Sequence, residues 1–199
     1  YRYAWLRDSA LILYALMTVG YRGEAVDFFH WLQATQRADR TALPQIVYAV
    51  DGGHLLSEFT VEGLSGYHCS WPVRVGNKAA EQFQLDIFGE VLAAAYLYFR
   101  AEVEHRTGAV VHSLAGGPPG KEIWGVLCNL VEQAVDHWRE PDSGIWEMRA
   151  VPQRFVYSQL MCWVAMDRGI RLAKEYGLAA PLDRWRRARS AVRRAILTR

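Results

Sequence analysis

Along this chain, stretches that are apolar on nearly every side alternate with stretches that are apolar on one side only, and few architectures house both. Residues 8 to about 19 carry Ala10, Leu11, Ile12, Leu13, Tyr14, Ala15, Leu16 and Met17 in succession, the mark of a helix buried all round. Residues 23–35 instead set Val26, Phe28, Phe29, Trp31 and Leu32 against Glu24, Asp27, His30 and Gln33. The first kind returns over residues 79 to about 104, with Phe83, Leu85, Ile87, Phe88, Val91, Leu92, Tyr96 and Leu97. Beyond the Gly-Pro segment 116–120, Ile123, Trp124, Leu127, Leu130, Val131, Ala134, Val135 and Trp138 keep the i, i+3, i+4 rhythm of a one-faced helix. A third apolar stretch, 155 to about 174, precedes a one-faced partner that opens at Pro181.

Helices apolar all round form an inner layer, and one-faced helices form an outer layer whose stripe packs inward. The inner members begin near residues 8, 79 and 153, about 70 residues apart, so each repeat is an outer helix, a long loop and an inner helix. The loop at 45–61 has its own signal. Residues 45–50 alternate as a short strand does, and Asp51-Gly52-Gly53 predicts a hairpin turn into a second strand over 55–61. The expected fold is therefore all-α, a ring of helix pairs with one short β-hairpin in a connecting loop.

Composition narrows the function. A net charge of +2 argues against nucleic acid or an anionic membrane as the main partner, and no run reaches the roughly 18 to 20 apolar residues of a membrane span. Cys69, Cys128 and Cys162 are widely spaced and odd in number, which predicts reduced core thiols. The six histidines show no metal-ligand spacing, so neither metal nor cofactor is expected. Eight tryptophans and ten tyrosines either fill a helical core or line a carbohydrate groove. A cytoplasmic location is the working expectation; a signal peptide stays open because the chain begins at Tyr1 without an initiator methionine, and oligomeric state is left open.

Three clusters fall just before inner helices, where they share one face of the ring. They are Tyr1-Arg2-Tyr3-Ala4-Trp5-Leu6-Arg7-Asp8, Trp71-Pro72-Val73-Arg74-Val75-Gly76-Asn77, and Pro141-Asp142-Ser143-Gly144-Ile145-Trp146-Glu147. The last places an indole beside a carboxyl group. A sugar hydrolase needs that pairing, one to hold a pyranose and the other to protonate a leaving oxygen.

With these motifs in this order, the chain resembles glycoside hydrolase family 15, the glucoamylase, glucodextranase and bacterial trehalase family, across nearly its whole length. The resemblance implies an (α/α)6 toroid, of which residues 1–199 would be a partial domain cut at both ends, carrying about three of six helix pairs. The middle segment VRVGNKAAEQFQLDIFGE is more similar to the bacterial branch. The implied activity is inverting release of glucose from α-linked oligosaccharides or disaccharides, with α,α-trehalose as the alternative substrate. In this resemblance Glu147 is the general acid, and packing against Trp146 is expected to raise its pKa. Arg7 and Asp8 are expected to hydrogen-bond hydroxyls of the terminal glucose, and Tyr1, Trp5 and Trp146 to wall it. Trp71, Arg74 and Asn77 are candidates for the rim.

Met148 stands where starch-degrading members often carry a second acid, which puts contacts to the second sugar in doubt. The general base is expected from beyond Arg199, and the chain alone is expected to be inactive, poorly folded and open along an apolar edge. Asp86 and Glu90, read as lying within or past the first turns of a helix, and Asp142, read as shaping the turn, are not assigned to that role. Alternatives stay open. Asp8 could simply cap a helix with Arg7 as its surface partner, and the six arginines between 184 and 194 could form a protein-binding face on a non-catalytic helical repeat. A lyase would need a base such as Tyr67 or His68.

Overall fold

The computed structural model describes residues 2–35, 43–54, 56–100, 117–148 and 150–198. Six helices dominate: α1 (Leu6–Thr18), α2 (Gly23–Thr35), α3 (Asp86–Phe99), α4 (Lys121–His137), α5 (Val156–Glu175) and α6 (Leu182–Leu197). The odd-numbered helices form the inner layer, with α3 packed between α1 and α5. On the outside α2 packs against α1 and α4, and α4 and α6 against α5. The architecture is all-α, in keeping with part of an (α/α)6 toroid. No helix is long and apolar enough to cross a membrane among the described residues.

The outer helices behave as their periodicity dictates. On α4, Ile123, Trp124, Leu127, Leu130, Val131 and Ala134 are buried, and α6 buries Trp185 and Val192. Arg184 bonds to Glu132 and Asp136 of α4, and Arg189 to Asp167 of α5. These arginines staple α6 to its neighbours.

The inner layer owes its tightness to α3, whose residues are buried along almost the whole helix. Gly89 makes this possible. A Cβ built there would lie 2.3 Å from the Met161 carbonyl oxygen of α5, so only glycine lets the two backbones meet.

Four expectations are corrected. Helix α1 is not buried all round: Leu6, Ala10, Leu13 and Met17 face the core, while Leu11, Ile12 and Tyr14 are exposed. Apolarity records what a helix can bury against, and among the described residues α1 packs mainly on α3, with smaller contacts to α2 and β1. The second inner helix begins at Asp86 rather than near 79, because only Lys78–Glu81 make a single 3-10 turn and Gln82 is extended; its expected end near Glu104 lies outside the described residues. The turn at 49–53 forms, with the Gly52 N–H donating to the Ala49 carbonyl at 2.8 Å. Its strand, β2 (Val47–Ala49), nevertheless pairs antiparallel with β1 (Tyr3–Trp5), and β3 (Phe59–Thr60) pairs with β4 (Arg74–Val75). Lastly, Cys69 is exposed rather than core, whereas Cys162 is buried and burial pushes its thiol upward.

Candidate active site

Strand β1 runs directly into α1, and its pairing fixes where the helix starts. Tyr3, Ala4 and Trp5 oppose Ala49, Tyr48 and Val47, and the Leu6 N–H donates to the Ile46 carbonyl at 3.0 Å. Arg7 is thereby held in the first turn, 7% exposed. Its Nη1 donates to Gln84 Oε1 at 2.8 Å and to Asp86 Oδ2 at 2.9 Å, and its Nη2 lies 3.5 Å from Glu147 Oε1. The ring of Trp5 sits 6.0 Å from the guanidinium carbon. One buried cation therefore ties the start of α1 to the start of α3 and to the turn at 141–148.

That turn is stapled to both neighbouring inner helices. Asp142, fully buried, makes an antiparallel bridge with Gln153, and its Oδ2 accepts from the Leu85 N–H at 3.1 Å and from Ser158 Oγ at 2.9 Å. The Ser143 N–H donates to the Phe83 carbonyl at 2.9 Å. Burial raises the Asp142 carboxyl above its ordinary range, against the hydrogen bonds of Leu85, Ser158 and Gly144, which lower it. Gly144 turns the chain at φ 65°, where a Cβ would also meet the Phe155 ring at 2.8 Å.

Glu147 takes φ 54°, a left-handed conformation that a non-glycine residue keeps only when its surroundings impose it. They do so here: the Glu147 N–H donates to Gly144, its carbonyl accepts from Gln82 Nε2 at 3.2 Å, and Gln84 Nε2 donates to Gln82 Oε1 at 3.1 Å. The Glu147 side chain is 38% exposed, so the carboxyl combines a fixed position with access from outside.

Glu90 lies one helical turn beyond Asp86 on the same face of α3. Its Oε1 accepts from the Tyr157 hydroxyl at 2.6 Å. Burial raises the Glu90 carboxyl, the Tyr157 bond and Arg7 oppose this, and Asp86 adds to it.

Comparison with known proteins places this geometry. The family model described as Glycosyl hydrolases family 15 matches residues 1–199, the entire chain. The chain belongs to that family. A trehalase of Mycobacterium tuberculosis is 39% identical over 199 residues, which are 99% of this chain and 27% of the relative. A trehalase of Mycolicibacterium smegmatis is also 39% identical, over all of this chain and 28% of the relative. A trehalase of Thermoplasma volcanium is 32% identical over 99% of this chain and 29% of its own length. The chain thus spans less than a third of each of these relatives. No solved structure matches it significantly.

Of the residues the sequence singled out, Arg7, Trp5 and Glu147 come together, and Tyr1 lies outside the described residues. Asp8 is exposed in the first turn of α1. It is not the cap, a position held by Trp5 without a side-chain bond, and Arg7 is no surface partner for it. Trp146 is 82% exposed and supplies no desolvating wall; the charged neighbour of the Glu147 carboxyl is Arg7 instead. Arg74 lies 3.8 Å from Glu58, and Asn77 accepts from the Ala79 N–H, so both shape the loop that carries exposed Trp71.

Gln82, Gln84 and Tyr157 are additions from the structure, and Asp86 and Glu90, named from the sequence only as carboxylates not assigned as base, gain partners at the site. A signal for three of them is in the sequence: Gln82, Gln84 and Asp86 alternate with Phe83 and Leu85, the two-residue period of extended chain. Assigning the segment to a helix hid it.

Proposed function

We propose that this chain supplies the general acid and part of the glucose-binding wall of an inverting trehalase. The meeting of Arg7 with Glu147 carries the reading, because it joins two clusters far apart in sequence around one accessible carboxyl group. Glu147 would protonate the glycosidic oxygen as the bond breaks, and Arg7 and Asp8 would hold hydroxyls of the glucose being attacked. Trp5 and exposed Trp146 would bound the ring, with Tyr1 assigned to the same wall from sequence alone. Inversion needs a second carboxylate about 6.5 to 9.5 Å from the acid to activate water. Asp86 and Asp142, fully buried and committed to Arg7, Leu85 and Ser158, are not assigned to that role, and the base is the one that the family resemblance implies beyond residue 199.

Trehalose is favoured over an α-glucan by the names of the relatives, all trehalases at up to 39% identity. Met148 in place of a second acid also suits a site unlike that of the starch-degrading members. The glucoamylase-type reading, release of glucose from maltooligosaccharides, stands second. Initial rates of the full-length protein on trehalose and on maltotetraose decide between them. Faster turnover of maltotetraose would reverse the assignment.

A further inference from the structure

Asp86 and Glu90 present two carboxyl groups to the same side of α3, one turn apart. The supply of hydrogen-bond donors there is short. Arg7 serves Asp86 Oδ2, and Asp86 Oδ1 is buried without a hydrogen-bond partner among the described residues. Tyr157 serves Glu90 Oε1, and Glu90 makes no other hydrogen bond or ion pair among the described residues. A carboxylate that is 8% exposed and holds a single partner has lost most of its hydration without replacing it. The 2.6 Å bond from Tyr157 is in the range of hydroxyls donating to ionised carboxylates, so the phenol fixes one oxygen while the other is not closed off from solvent.

The pair is also reachable. Tyr157 stands in the first turn of α5 and is 37% exposed, so the Glu90–Tyr157 contact opens outward on the side of α5. It neighbours the Arg7–Asp86 pair, and Arg7 in turn reaches Glu147.

We propose that Glu90, oriented by the Tyr157 hydroxyl, is a substrate-binding residue that accepts a hydrogen bond from a hydroxyl of the glucose unit held beside Arg7. The assignment rests on the glycosidase reading above and adds a specificity-determining contact to it. An acceptor of this kind selects ligands by their donors. A polyhydroxylated pyranose offers several, and an analogue lacking the right one leaves the carboxylate as poorly served as before. Tyr157 is the positioning residue, since it acts through Glu90.

The test uses the full-length protein with trehalose, with trehalose analogues lacking the same hydroxyl on both rings, and with glucose. Glu90→Gln should raise KM for trehalose about 10- to 100-fold with a smaller change in kcat, the scale of a lost hydrogen bond to a charged group. For one analogue in the deoxy series the variant and the wild type should differ little, which identifies the hydroxyl. Tyr157→Phe, which keeps the ring, should give a smaller loss with the same analogue preference. Equal losses on every analogue, or none, overturn the proposal while leaving trehalose cleavage standing. Absence of cleavage by the wild type removes the glycosidase reading instead. Calorimetric titration with glucose then decides alone: weaker binding by Glu90→Gln than by wild type supports the contact, and equal binding overturns it.

Discussion

Replacing Gly89 by alanine perturbs the tightest approach in the inner layer. The new Cβ would sit 2.3 Å from the Met161 carbonyl oxygen and 2.8 Å from the Met161 carbonyl carbon and Cα. All three are backbone atoms of α5 and cannot swing aside as a side chain tip can, so α3 and α5 must part by roughly 1 Å to restore van der Waals contact. Helix propensity pulls the other way, favouring alanine by about 0.5 to 1 kcal/mol. Overpacking of a filled core costs about 1 to 3 kcal/mol. With rigid backbone on both sides the upper part of that range applies, and a net loss of about 1 to 2 kcal/mol is expected. The separation also moves Glu90, the next residue, away from Tyr157, so activity should fall further than stability. Urea unfolding of the full-length protein gives the midpoint, and initial rates on trehalose give the activity. A Gly89→Ala protein as stable as wild type or more so, with an unchanged slope, would refute the close approach.

Other changes test the site piecewise. Asp86→Ala removes the buried anionic partner of a guanidinium that keeps Gln84, Glu147 and the Trp5 ring, and should cost about 3 kcal/mol in denaturant unfolding. Asp142→Ala leaves the Leu85 N–H buried and unpaired, and should cost about 1 to 3 kcal/mol while loosening the turn, seen as faster amide exchange at 143–147. Gly144→Ala, at φ 65° and against the Phe155 ring, should cost about 1 kcal/mol or more and depress kcat through the displaced Glu147. Burial holds Glu90 and Asp142 above their ordinary values of 4.5 and 3.8, so the folded chain binds more protons than the unfolded one from those values upward. Stability should therefore fall as pH rises through that interval, and melting temperature against pH should flatten there in Glu90→Gln.

What the sequence made legible follows from what periodicity measures. The inner and outer layers were readable because α4 and α6 bury one stripe and α3 buries nearly all of its surface. The exposed flank of α1 was not, since Leu11, Ile12 and Tyr14 look the same whether or not a neighbour lies beside them. Strand partners escaped for a related reason. The turn signal at 51–53 marks a reversal, but Val47–Ala49 pairs with Tyr3–Trp5, a choice made by tertiary contacts. Arg7 and Glu147 were legible through their motifs, whereas the role of Asp86 was hidden by a helix start placed too early, before the extended Gln82. Tyr157 carried no signal of its own, because its meaning comes from Glu90 on another helix.

With Glu147 as the acid of an inverting trehalose hydrolysis, the anomers first released carry the stereochemistry of the reaction. Inversion at one anomeric carbon yields one β-glucose from the attacked ring and one α-glucose from the leaving ring. A proton NMR time course of the full-length protein on trehalose should show the two anomers appearing in equal amounts before mutarotation, with both lost in Glu147→Gln. Release of the α-anomer alone, or unchanged release by the variant, would contradict that assignment.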